Sequence, residues 1–181
     1  MKINHFFAIF LVWGFVLGTG GVVWGQESVF KDYHVVIVHE LDIPSGSPAP
    51  DSAGSQMAEK AVYQLGRYSE KYNLFETIVK EGSKSKEIPS GKKILLIKGT
   101  VKEYTKASVG RRIGRSFIPL GEFTGTAAFA AHYQFIDKDT GKVIYETDLR
   151  TTSTGTEDTV EYAMERNGEA LAKLITKYKG K

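Results

Sequence analysis

The chain has 181 residues, 41% of them apolar, and 24 lysines and arginines against 21 aspartates and glutamates, for a formal net charge of +3. It has no cysteine, which excludes disulfide staples, thiolate metal sites, a cysteine nucleophile and lipid attachment through a cysteine. So small a net charge does not call for nucleic acid or another polyanion as partner, and stability has to come from an ordinary apolar core.

The first element in chain order is an export segment. Lys2 precedes an uncharged apolar run, Phe6 to Leu17, and small residues follow from Gly18. That order is the pattern of a secretory signal peptide. Val23-Trp24-Gly25 predicts cleavage after Gly25, with a cut after Gly20 as second choice. The rival is an uncleaved anchor, because Phe6 to Gly25 approaches the roughly 20 apolar residues that span a bilayer. Four glycines between Gly18 and Gly25 weaken that helix. Residues 1–25 are therefore read as a signal peptide, and residues 26–181 as a single exported domain in the periplasm. Losing Lys2 with the leader lowers the net charge to +2, and the remaining 156 residues suffice for one core.

Tyr33 to Glu40 (YHVVIVHE) is a β-branched run, apolar on both faces, and reads as a central covered strand. A loop rich in proline and serine follows, Pro44 to Gly54. Capping residues between Asp51 and Ser55 predict a helix start. Ala58, Ala61, Val62, Leu65, Tyr68 and Tyr72 form its apolar stripe, with Gln64 among the residues opposite, and Asn73 ends it. Phe75 to Lys80 is a short strand and Glu81 to Lys93 a polar loop. Ile94 to Tyr104 and Thr124 to Ile136 are strands. In the second, Ala127, Phe129, Ala131, Tyr133 and Phe135 share one face by the period-two rule. Asp137 to Lys142 (DKDTGK) is a turn in which Gly141 takes positive φ. Val143 to Thr152 returns, with Val143, Tyr145 and Leu149 on one face and Glu146, Asp148 and Arg150 on the other. Thr156 to Lys177 is the last helix, buried along Val160, Ala163, Met164, Leu171, Leu174, Ile175 and Tyr178. Glu157, Asp158 and Glu161 at its start and Lys173, Lys177 and Lys179 at its end suit the helix dipole. The order β-α-β-β-β-β-α, with two amphipathic helices to cover, predicts a two-layer α/β sandwich: a mixed, mostly antiparallel sheet with both helices on one face.

From Ile94 to Lys177 the chain resembles the bacterial domain-of-unknown-function family 4410. The resemblance rests on ILLIKGTVKEY, then SVGRRIGRSFIPLG, then AAHYQFIDKDTGKVIYE and the helical tail. It implies an envelope protein of this fold with no established activity. That family is often lipid-anchored, and this chain lacks the cysteine for such a tether.

One segment stands out chemically. Gly110 to Gly121 (GRRIGRSFIPLG) holds Arg111, Arg112 and Arg115 among glycines, with Ile113, Phe117 and Ile118 close by. Arginine forks bind carboxylate or phosphate at two points, and exposed apolar and arginine clusters mark interfaces. The bland alternative is a long hairpin connection with solvated arginines. Arg111, Arg112, Arg115, Phe117 and Ile118 are the candidate residues for binding a partner protein of the envelope, or an anionic lipid headgroup or acidic glycan.

Other motifs reduce to structure. Asp137-Lys138-Asp139-Thr140-Gly141 departs from a calcium loop at three positions and reads as a turn. Ser28-Val29-Phe30-Lys31 has the spacing of a penicillin-binding serine and lysine without the companion motifs. Gly91-Lys92 lacks the rest of a phosphate loop. His34 and His39 are five apart in an extended run, so they fall on opposite faces and do not share a metal. His132 shows no partner in sequence. Phe129, Tyr133, Phe135 and Tyr145 are read as core rather than pocket. The expectation is a non-enzyme with no cofactor and no metal. A hydrolase is the outlying reading, and it requires a deep pocket bringing His132 to a carboxylate and a hydroxyl.

Overall fold

The computed structural model of the chain describes residues 28–83, 89, 91–107, 126–153 and 158–180. The export segment and the Gly-Arg segment lie outside the described residues. The elements are β1 (Val35–Val38), α1 (Ala53–Tyr72), β2 (Thr77–Lys80), β3 (Ile94–Thr105), β4 (Ala128–Asp137), β5 (Val143–Thr152) and α2 (Val160–Tyr178). They run in the predicted order. The five strands form one sheet, β2-β1-β3-β4-β5. β1 pairs in parallel with both β2 and β3, whereas β3, β4 and β5 form an antiparallel meander. A short parallel wing is thus joined to a long antiparallel one.

Period-two patterning sets the core. Ala127, Phe129, Ala131, Tyr133 and Phe135 are all fully buried on the inner face. Leu95, Ile97 and Val101 of β3 lie beside them in register, as do Val36 and Val38 of β1. Met57, Ala61 and Leu65 of α1 and Met164, Leu171 and Ile175 of α2 close this face. Each large apolar side chain so buried contributes roughly 1.5–3 kcal/mol. The outer face carries a smaller cluster at the parallel wing, Val35, Ile37, Val79 and Ile94, with Leu96 packed against it. That is why β1 is apolar on both sides.

Two bulges correct the expected alternation. In β3, Val101 pairs with Ala131 and Glu103 with Ala130. Lys102 is the extra residue, so Val101 and Tyr104 both turn inward although they are three apart. In β5, Tyr145 pairs with Phe135 and Val143 with Ile136, which leaves Ile144 as the extra residue. Ile144 then packs on the core, and Val143 is 41% exposed rather than inward as the simple pattern predicts.

The helices bury more than one stripe because each faces both the sheet and its neighbour. Gly168 of α2 sits against the backbone of Lys60 and Ala61, and a Cβ there would lie 3.1 Å from the Lys60 carbonyl oxygen. One turn further along α1, Gln64 is 2% exposed instead of solvated as expected. Asn167 and Thr176 of α2 are likewise buried. The start of α1 also differs from expectation: Ser52 makes no side-chain cap bond, and the turn is closed by Ala53 N–H donating to Pro50 O at 2.8 Å. Asn73 ends α1 in the left-handed region (φ 52°), its N–H donating to Ser69 O. α2 starts at Val160 rather than Thr156, with Thr159 as its cap accepting from Tyr162 N–H.

The polar groups between α2 and the hairpin are matched. Tyr133 Oη donates to Asn167 Oδ1 at 2.7 Å. Asn167 Nδ2 donates to Leu149 O at 3.0 Å and to Thr151 Oγ1 at 3.2 Å. Thr151 Oγ1 donates in turn to Ala163 O at 2.7 Å. Burial pushes the Tyr133 phenol well above its ordinary pKa, so it remains a donor at any physiological pH.

Tyr133→Phe should leave Asn167 Oδ1 short of a donor and cost about 1–3 kcal/mol in urea unfolding, with far-UV circular dichroism unchanged. At Gly54 a Cβ would stand 2.0 Å from Leu41 O. Gly54→Ala should therefore destabilise by about 1–3 kcal/mol in the same assay, because a backbone atom rather than a flexible side chain has to move.

Candidate functional site

The predicted binding residues Arg111, Arg112, Arg115, Phe117 and Ile118 all lie outside the described residues. What the structure defines is the base from which that segment departs and to which it returns. β3 and β4 pair, through the bulge at Lys102, up to Thr105 opposite Ala128. Ala107 still packs on the core. On the return side Ala127 N–H donates to Asp158 Oδ1 at 2.8 Å, and Ser153 Oγ donates to the same oxygen. Ser153 N–H donates to Ala127 O at 2.9 Å. The carboxylate just before α2 thus ties together the starts of β4 and α2 and the end of β5, so the segment is joined to a rigid base.

The outer sheet face beside it is polar. His132 Nδ1 lies 3.0 Å from Asp148 Oδ1, and its Nε2 lies 3.7 Å from Glu146 Oε2. Thr100 stands opposite His132 on the other side. Sequence reasoning gave His132 no partner, yet the hairpin register that follows from the DKDTGK turn places Asp148 directly across from it. This row lies on the open sheet face, with Asp148 77% exposed, and not in the deep pocket that the hydrolase reading requires. Next to it Arg150 grips Glu103 at two points, 2.7 and 3.1 Å, across the small Ala130. The pairing holds the Glu103 carboxyl below its usual range.

Two clefts among the described residues are lined by groups with structural duties. One of about 360 Å³ lies between Lys31, His34, Phe75, Glu76 and Lys179. Lys179, expected as a solvated helix-end charge, is 9% exposed, and its Nζ donates to the carbonyls of Tyr33 (2.9 Å), Lys31 (3.2 Å) and Phe30 (3.4 Å). It binds the first described turn to the end of α2. In that turn Phe30 is fully buried, 4.9 Å from the Phe135 ring centroid. Sequence reading missed this plug because a single aromatic just past the predicted leader shows no periodicity. A second cleft of about 270 Å³, on the outer face, includes Ile37, His39, Val79, Glu81 and Leu96. Burial pushes the His39 pKa down, against the pull of Glu81. His34 and His39 each meet a different carboxylate, Glu76 and Glu81. Among the described residues no group of three or more His, Asp or Glu is placed to hold a metal ion, and no helix is long and apolar enough to cross a membrane.

No family model and no curated protein matches the chain, so the resemblance to family 4410 rests on the quoted segments alone. Among solved structures the chain is similar to a PelC variant from Paraburkholderia phytofirmans, a dodecamer, at 14% identity and a TM-score of 0.51, covering 80% of this chain and 87% of that one. It is also similar to a DUF330 protein from Xanthomonas campestris (10% identity, TM-score 0.48, 81% and 84% covered). A third is lipoprotein GNA1162 from Neisseria meningitidis (12% identity, TM-score 0.43, 80% and 99% covered). At such identities the PelC likeness shows the fold and nothing of the chemistry.

The turn that carries the hairpin contains the strongest pH handle. Tyr33 Oη donates to Asp137 Oδ2 at 2.7 Å, and Thr140 N–H and Oγ1 donate to Oδ1 at 2.9 and 3.0 Å. These bonds, the Tyr33 one foremost, hold the Asp137 carboxyl at about 2 instead of 3.8. A depressed carboxyl stabilises the fold above its unfolded pKa, and that contribution is lost as pH falls through the folded value. Thermal midpoints should therefore drop between about pH 4 and pH 2, and less steeply in Asp137→Asn, as scanning calorimetry across that range would check.

Proposed function

We propose that this chain is a non-catalytic binding or assembly module of the bacterial cell envelope, exported by residues 1–25 and working in the periplasm through contact with another envelope protein. The observation that carries this reading is the connection between β3 and β4. The ladder is complete at Thr105 and Ala128, and an antiparallel pair closes with about two to five residues. The chain instead places 22 residues there, including Arg111, Arg112, Arg115, Phe117 and Ile118. Connections longer than about 12–15 residues are uncommon and are usually either functional or linkers, and the arginines clustered among apolar residues in this one favour function. Arginine forks with neighbouring apolar side chains suit a protein surface that offers carboxylates around an apolar patch. The uncharged run after Lys2 supports the location, and likeness in fold to a dodecameric protein is in keeping with an assembly role.

Replacing Arg111, Arg112 and Arg115 together by alanine should leave the circular dichroism and the cooperativity of thermal unfolding intact, since substituting residues that serve binding rather than packing shifts stability by no more than ~0.5 kcal/mol each. The same change should abolish the adduct formed in living cells by a photocrosslinker placed at Phe117. An adduct of undiminished yield would sink the proposal. If the arginines capture anionic headgroups or glycans instead, the wild type will bind phosphatidylglycerol vesicles and lose them steeply as salt rises.

A further inference from the structure

The outer edge of β5 has a defined bonding pattern. Ser153 N–H donates to Ala127 O, so the pair formed by residues 153 and 127 is hydrogen-bonded. Bonded and non-bonded pairs alternate along an antiparallel ladder. Leu149 and Thr151 therefore point their main-chain groups at β4, and Glu146, Asp148, Arg150 and Thr152 point theirs away from it. The carbonyl of Thr152 is met by Arg166 Nη1 at 2.6 Å, which closes that end of the edge. Among the described residues nothing pairs with the stretch from Glu146 to Arg150, and β5 is the last strand of the sheet. A row of unpaired N–H and C=O groups is a template for another strand.

We infer that the strand which pairs there is β5 of a second copy of this chain, antiparallel, with Asp148 opposite Arg150 of the other copy and Leu149 on the two-fold axis. This goes beyond the binding reading above and stands without it. The register is chosen by charge. Because only even-numbered residues face outward, the neighbouring two-fold registers centre on Asp148 or on Arg150. Each of these sets two like charges directly opposite one another, which is destabilising. Centring on Leu149 sets Asp148 against Arg150 twice, with reciprocal main-chain hydrogen bonds inside each pair. The opposite edge, β2, is four residues long against ten for β5, so joining β5 to β2 head-to-tail would leave most of β5 unpaired. The side chains are already arranged for the contact. Glu103 holds Arg150 by two hydrogen bonds, and His132 lies against Asp148. Each new ion pair thereby joins the Glu103–Arg150 pair of one copy to the Asp148 that lies against His132 in the other. An isologous joint of this kind closes as a dimer with one continuous sheet.

The absence of cysteine allows a direct test of register. Asp148→Cys and Arg150→Cys proteins are purified separately, mixed and oxidised with copper phenanthroline. Opposed residues in a bonded pair are about 5.5 Å apart at Cα, within disulfide range. The mixture is expected to give a disulfide-linked dimer joining the two variants, several-fold faster than either variant links to itself. Self-linking of Asp148→Cys at an equal or greater rate would overturn the register. Sedimentation equilibrium of the wild-type protein should give twice the chain mass. Asp148→Pro removes an outward-facing N–H, a change that edge strands tolerate, together with the exposed carboxylate beside His132, and it should give the single-chain mass with unchanged circular dichroism. A wild type of single-chain mass at all concentrations up to about 100 μM, a range that holds dimers with dissociation constants well below 1 mM, would overturn the proposal. So would a folded Asp148→Pro protein that remains dimeric.

Discussion

The contact on which the arrangement turns is the one between Tyr133 and Asn167. A phenol in the centre of β4 and an amide in the middle of α2 meet where no water reaches either of them. A buried donor or acceptor left without a partner costs about 1–3 kcal/mol, so the two groups fix each other's position along both elements. Through the second end of the amide, the same pair reaches Leu149 and Thr151 of β5 and from there the Ala163 carbonyl of α2 itself. Apolar packing makes α2 adhere to the sheet without choosing its height. This polar chain specifies the height, and Gly168 lets α1 approach closely enough to complete the layer.

From that layer follows the division of the sheet into two working surfaces. The inner face is spent on the core. Among the described residues the outer face gathers its apolar cluster over the parallel wing, at Val35, Ile37, Val79 and Ile94, and carries His132, Glu146, Asp148, Arg150 and Glu103 over the meander. The charges there are ordered in rows by cross-strand register: Thr100, His132 and Asp148 in one, Glu103, Ala130 and Arg150 in the next. The β3 bulge is what brings Glu103 onto this face. Were β3 regular at this point, Lys102 would stand opposite Ala130 and Glu103 would point inward, leaving Arg150 no carboxylate to grip.

What residue order makes legible about the candidate site is uneven. The pattern of an export leader in residues 1–25 is a local composition signal, which is read without reference to folding. The Gly-Arg segment is recognisable for the same reason: three arginines among glycines are odd in any context. The partners of His132, the burial of Lys179 and the plugging role of Phe30 were not accessible. Each depends on a residue 14 to 149 positions away, and nothing near the residue itself advertises it. Lys179 shows the point most clearly. A lysine at the end of a helix is ordinarily solvated, and only the carbonyls of the first described turn convert it into a buried tie.

By itself the sequence determined the element types, their order and most of the inward positions. Alternation in strands and the three- and four-residue spacing in helices are properties of the local backbone, and they hold before any tertiary contact forms. Tertiary structure alone decided the parallel placement of β1 between β2 and β3, the two bulges, the burial of Gln64 and Asn167, and the open edge at β5. Strand neighbours and register are chosen by long-range pairing and by the closeness with which two helices cross. Both are collective outcomes of packing, and no short window of residues contains them.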